Sequence, residues 1–204
     1  MIEQTREIVR KFNSIYDGVL FLPEALLPEN EACMRLPGTD GKQKMSKSLG
    51  NCIYLSDSEK EVKQKVMSMY TDPTHIQVSD PGHLEGNSVF TYLDAFSKPE
   101  EYLPDYHNLD ELKEHYTRGG LGDMKVKKFL NNVLQEELAP IRARRAKFER
   151  DIPAVYEMLK KGSDVARETA AQTLSEVKRA MQINYFDDAE LIRAQAEKYS
   201  GITE

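Results

Sequence analysis

Gly38-Thr39-Asp40-Gly41-Lys42-Gln43-Lys44-Met45-Ser46-Lys47-Ser48-Leu49-Gly50-Asn51 is the stretch on which the reading of this 204-residue chain turns. At its centre, Lys44 and Lys47 stand three residues apart, with the hydroxyls of Ser46 and Ser48 between and after them. Lysine is a compact point charge on a flexible stem, so a pair of lysines on a mobile loop can follow phosphates as they move. The hydroxyls and free backbone N–H groups can bond the same oxygens. Gly41 and Gly50 flank the segment and are expected to let it swing as a closing loop does. The bland alternative is a Lys/Ser-rich surface turn. For a generic turn that alternative would win, and residue types alone do not decide against it.

Outward from the loop, the two sides differ in character. Upstream, Ile8, Val9, Phe12 and Ile15 repeat at the helical period and predict a helix from Ile2 to Tyr16. Val19-Leu20-Phe21-Leu22, stopped by Pro23, reads as a short buried strand, and Ala32 to Leu36 as a second. Downstream, Ser56 with Glu59 offers a capping box for a helix whose stripe is Val62, Val66, Met69 and Tyr70. Further helices are expected at about 87–96, 109–116, 123–138, 141–160 and 164–181. Pro140 should start or kink the fourth of these, and Gly162-Ser163 should close it and cap the next. Residues 187–204 read as a polar tail with room for one more short helix.

Composition narrows the class. Apolar residues make up 40% and charged residues 30%, which suits a globular protein with a core. No apolar run approaches the roughly 18 residues of a membrane span. The first residues, Met1 to Arg6, lack a signal-peptide layout, so a cytoplasmic location is expected. Two cysteines, Cys33 and Cys52, and four scattered histidines argue against a protein-held metal and fit a reduced compartment. The net charge of -6 argues against a protein that coats nucleic acid generally. From Arg118 to Arg150, however, nine Lys/Arg stand against four Asp/Glu. Such a basic island is a localised footprint for a polyanion, or else a solvated helix face.

Lys44-Met45-Ser46-Lys47-Ser48 resembles, residue for residue, the signature loop of class I aminoacyl-tRNA synthetases. The wider stretch 38–51 resembles the bacterial-type tryptophanyl-tRNA synthetases. So do Ile2 to Asn13, Ala25-Leu26-Leu27-Pro28, Met67 to Pro73, Glu85-Gly86-Asn87, Arg118 to Asp123 and Pro140-Ile141-Arg142. The likeness covers about residues 1–186. It implies a mostly α chain with an α/β remnant: residues 1–57 as the C-terminal edge of a Rossmann-type catalytic domain, 58–186 as a helical anticodon-binding-like domain, and 187–204 as a tail.

The resemblance also assigns residues. Lys44 and Lys47 would act catalytically on the phosphates of ATP, with Lys47 the main stabiliser of the leaving pyrophosphate. Met45 would meet adenine, Ser46 and Ser48 would support the phosphates, and Leu27 would line the adenine site unless it is a plain core leucine. Mg²⁺ would be held by the phosphates. Lys125, Lys127, Lys128, Arg142, Arg144, Arg145 and Lys147 are candidate contacts to tRNA-Trp, with Ile141 and Phe148 on the buried face of their helix. The implied function is ATP-dependent activation of tryptophan and charging of tRNA-Trp by a homodimeric enzyme. The resemblance places the His-Ile-Gly-His-type motif and a Gly-x-Asp-Gln segment upstream of Met1, so Met1 is expected to be internal and the 204 residues inactive alone. Two alternatives stay open: a stand-alone helical RNA-binding module, and another class I enzyme such as a tyrosyl-tRNA synthetase.

Overall fold

The protein is described by a computed structural model over residues 1–16, 18–98 and 105–200. Seven α-helices run through these residues: α1 Ile2–Tyr16, α2 Glu59–Met67, α3 Ser88–Phe96, α4 Leu109–Arg118, α5 Asp123–Phe148, α6 Ile152–Ala180 and α7 Ala189–Tyr199. Short 3-10 turns form at Glu31–Cys33 and Lys47–Leu49. Among the described residues there is no strand, only one isolated antiparallel bridge between Pro37 and Lys44. Among the described residues no helix is long and apolar enough to cross a membrane. The chain packs as two compact units, Leu27–Asp151 and Met1–Leu26 with Ile152–Glu204.

The Leu27–Asp151 unit holds the core. Val62 and Val66 of α2, Val89, Phe90 and Leu93 of α3, and Leu112 and Tyr116 of α4 are fully buried against one stripe of α5. That stripe is Val126, Leu130, Val133, Leu134 and Leu138, spaced at the helical period. Each such side chain contributes about 1.5–3 kcal/mol by leaving water. Both α2 and α3 pack on α5, which makes α5 the spine of the unit.

A buried polar cluster fixes the start of that spine. Asp123, the first residue of α5, accepts hydrogen bonds from Tyr116 Oη at 2.7 Å and Thr71 Oγ1 at 2.9 Å, and lies 3.0 Å from His75 Nδ1. Gly82 packs face-on to Tyr116, where a Cβ would lie 2.3 Å from the ring. Burial first, and the Asp123 carboxylate second, push the Tyr116 hydroxyl above its ordinary pKa. The segments 67–73 and 118–123 are thus framework.

Several sequence expectations are corrected. Neither expected strand forms. Residues 31–33 make a 3-10 turn, capped by the Asn30 side chain on Ala32 N. At 19–22 no partner strand is present among the described residues. Instead the Asn13 carboxamide imitates one, accepting from Leu20 N at 2.8 Å and donating to Leu20 O at 2.6 Å. The capping box lies two residues later than expected, on Ser58 and Glu61. Asp57 holds residues 54–57 in a turn by accepting from Tyr54 N, so the helix cannot begin at Ser56. Tyr70 leaves the α2 stripe and is exposed.

Pro140 neither starts nor ends a helix: α5 runs through it to Phe148. The missing N–H costs on the order of 3 kcal/mol. Leu138 before it and Ile141 after it both lean on the core, and that burial offsets the cost. The break comes at 149–151 instead, before Pro153 in the first turn of α6, where a proline needs no donor. Phe148 is 49% exposed, so only Ile141 of the expected pair faces inward.

In the other unit, α6 runs straight through Gly162-Ser163. Asp164 pairs with both Lys160 and Arg167 across the step. None of its residues is buried, so the stripe Ala166, Ala170, Leu174, Val177 and Met181 faces no core in this chain. The expected polar tail carries α7, with Asp188 accepting from Leu191 N at its start. The last four residues of that tail lie outside the described residues.

Candidate phosphate-binding loop

Residues 37–51 form a loop whose base is a tight hairpin. Gly38 N donates to Gln43 O at 2.7 Å, beside the bridge of Pro37 and Lys44, and Gly41 N turns back onto Gly38 O. Gly41 sits at φ +67, and a Cβ there would lie 2.5 Å from the Tyr70 ring. It is therefore pinned. Gly50, at φ +66 with open space around it, closes the Lys47–Leu49 turn by donating its N–H to Lys47 O.

The base is tied to the helical core. Tyr92 of α3 donates its hydroxyl to Pro37 O at 2.8 Å, and Tyr70 N donates to Thr39 O at 2.9 Å. Burial, then the nearby Cys52 and Asp40, push the Tyr92 hydroxyl above its ordinary range, so it stays a donor. The Met45 side chain is half-buried against the core, with its N–H directed to Leu36 O. Lys44 and Lys47 are exposed. Ser46 Oγ and Ser48 Oγ are 2.9 Å apart and share a hydrogen bond. Leu27 is 63% exposed and is not a core leucine.

Asn51, at the loop's far end, is 5% exposed. Its Oδ1 accepts from Ser46 N at 2.8 Å, its Nδ2 donates to Asp40 Oδ1 at 3.2 Å, and its carbonyl accepts from Thr39 N at 3.0 Å. Gly38 makes room for it, since a Cβ on Gly38 would lie 2.0 Å from Asn51 Nδ2. Desolvation raises the Asp40 carboxyl, but bonds from Lys42 N, Asn51 Nδ2 and Gln43 N outweigh it and hold it below the usual carboxylate range. Sequence alone gives Asn51 no role. An Asn directly after a Gly that ends a loop was the available signal, because its carboxamide readily bonds nearby backbone.

The basic candidates divide in two. Lys128, Arg144 and Lys147 are exposed on α5, as are Lys125, paired with Asp105, and Arg145, whose Nε donates to Glu149 Oε1 at 2.7 Å. The Asp105 carboxylate raises the Lys125 pKa, chiefly through their hydrogen bond. Arg142 is half-buried, donating through Nη2 to Gln135 Oε1 at 2.8 Å with Glu59 Oε1 beyond. Lys127 is 8% exposed, bonded to Met67 O at 3.2 Å, and burial lowers its pKa. Lys127, expected as a nucleic-acid contact, thus lies buried in this chain, unlike the other candidates. Its ammonium closes the C-terminus of α2.

The sequence profile described as "tRNA synthetases class I (W and Y)" matches residues 1–139. The chain is 61% identical over 189 residues to the tryptophan–tRNA ligase of Clostridium longisporum, covering 92% of this chain and 53% of that protein. It is 58% identical to the tryptophan–tRNA ligase of Streptococcus pyogenes serotype M3, covering 91% and 54%. Among solved structures, the tryptophanyl-tRNA synthetase of Campylobacter jejuni complexed with ADP and tryptophan superposes with a TM-score of 0.64. Its identity is 28%, covering 89% of this chain and 53% of that one. The chain spans about half the length of the curated relatives it matches.

Proposed function

The chain belongs to the class I tRNA synthetases of the W and Y type, and on that premise we propose that it forms part of a tryptophan–tRNA ligase. In this reading, residues 1–57 contribute the nucleotide-binding edge of a Rossmann-type catalytic domain. Residues 58–186 are the helical anticodon-binding-like domain, and 187–204 a tail. The complete enzyme, a cytoplasmic homodimer, activates tryptophan with ATP and charges tRNA-Trp. The tryptophan carboxylate attacks the α-phosphate and pyrophosphate leaves.

One observation carries the proposal. Lys44 and Lys47 stand exposed on a loop whose backbone is bonded at its base to the helical core. A rigid base with free cations lets the loop meet a triphosphate without reorganising the fold, and charge placed where pyrophosphate leaves stabilises the transition state. Ser46 and Ser48 exchange their mutual hydrogen bond for phosphate oxygens. Met45 offers its backbone to adenine, and the exposed Leu27 covers the base. Mg²⁺, when bound, neutralises phosphate charge and is held by the phosphates. The donors of the loop are cations and hydroxyls, and Asp40 is committed to Lys42 N and Asn51. Lys125, Lys128, Arg144, Arg145 and Lys147 face tRNA phosphates, while Arg142 braces α5 against Glu59.

The test is Lys47→Ala in the complete ligase. Tryptophan-dependent ATP–pyrophosphate exchange should fall on the order of 10²-fold or more, with tryptophan binding nearly unchanged. An unaltered exchange rate would remove Lys47 from the chemistry.

A further inference from the structure

We propose that Asn51 is a positioning residue for the lysine loop, setting the place of Lys47 through the loop backbone. The inference rests on the reading of the loop as the phosphate-gripping element. One buried carboxamide holds both sides of the loop at once: Oδ1 takes the Ser46 N–H on the outgoing side, and Nδ2 takes Asp40 on the incoming hairpin. The Asn51 carbonyl adds Thr39 N. Ser46 is the residue before the 3-10 turn Lys47–Leu49, and its own side chain makes no capping bond to that turn. The turn that carries Lys47 is closed at its end by Gly50 N on Lys47 O, and at its start Asn51 stands in for the missing side-chain cap by holding Ser46 N. Met45, packed on the core, anchors the side before Ser46, and the carboxamide is the side-chain tie that joins Ser46 to the Asp40 side of the loop. A misplacement of about 1 Å at a reacting group can cost on the order of 10²-fold in rate.

Asp40 belongs to the same device. It keeps its charge through the Lys42 and Asn51 bonds and fixes the rotamer of the carboxamide, so that the oxygen, not the nitrogen, faces Ser46. Gly38 leaves the space that the carboxamide fills.

The experiment has two arms. In the complete ligase, Asn51→Ala should lower kcat for ATP–pyrophosphate exchange by about 10- to 100-fold per active site, with KM for tryptophan unchanged. Asn51→Asp sets two carboxylates face to face, so its activity should rise as pH falls and a proton is shared between them. The double swap Asp40→Asn with Asn51→Asp restores one donor and one acceptor, at the expense of the longer Lys42 bond, and should recover most of the rate. A purely structural role would lower the melting temperature and leave kcat per titrated site, the pH profile and the rescue unmoved. In the 204-residue chain itself, trypsin should cut after Lys44 and Lys47 faster in Asn51→Ala than in the parent. Unchanged cleavage overturns the proposal whatever the kinetics. Normal exchange in Asn51→Ala alongside a collapsed rate in Lys47→Ala overturns the positioning role and leaves the loop's function standing. Normal exchange in both overturns the two together.

Discussion

Asp72 shows how one buried carboxylate is kept charged. Burial would raise its pKa, but Thr74 Oγ1 and N bond Oδ1 while His83 Nδ1 and N bond Oδ2, and together they hold it well below the usual carboxylate range. With the folded value depressed, the unfolded chain binds the extra proton first. The stabilisation is complete above the unfolded value of about 3.9 and is lost as pH falls from there towards the folded one. Melting followed by circular dichroism should show a steep loss of stability in this chain between about pH 5 and pH 2. In Asp72→Asn that acid slope should flatten, with a lower melting temperature at neutral pH. An equally steep slope in the variant would place the acid sensitivity elsewhere. At this scale the sequence displayed its charged and hydroxyl groups readily, and Lys44 and Lys47 were legible for that reason. Asn51 and Asp72 were not, because their partners, backbone N–H groups and side chains alike, are brought to them only by the folded chain.

Among the elements, α5 decides most. Its inner stripe builds the core, and its exposed residues carry the basic island. Charge reversal of Arg144 and Arg145 in the complete ligase should weaken tRNA binding and flatten its salt dependence, because fewer counterions are released. Lys127→Met should leave the salt slope alone, since that ammonium is spent on Met67 O. If the arginine variant keeps both affinity and slope, the outer face of α5 is only solvated. Periodicity located most helices, but punctuation misled. From local cost, roughly 3 and 1 kcal/mol, Pro140 reads as the start or kink of a helix and Gly162 as the end of one. Burial of Leu138 and Ile141 outweighed the first, and ion pairs from Asp164 span the second. Burial of one lysine among nine basic residues is likewise set by how α5 lies against α2, which no spacing encodes.

At the scale of the whole molecule, the two units differ in how much apolar surface they bury. The Leu27–Asp151 unit has a closed core, whereas Ile8 and Ile15 of α1, Phe21, Leu26, and Ile152, Tyr156 and Leu159 of α6 are exposed. The proposed activity needs a tryptophan pocket and a second grip on ATP, and the resemblance assigns both to the half of the ligase that this chain does not span. Two lysines alone must give up about 2 kcal/mol of rotamer entropy each, against attraction that salt screens. The 204 residues by themselves should therefore show no tryptophan-dependent exchange and at most millimolar ATP affinity by calorimetry. Adding the separately expressed other half of the ligase should restore part of the activity. Robust exchange by the chain alone would overturn the family-based placement of the pocket. The bond from Tyr92 to Pro37 O also has a thermal meaning. Because that bond hangs the base of the loop from α3, unfolding of α3 releases the base as well. The lysines therefore keep their address at most up to the temperature at which α3 dissolves.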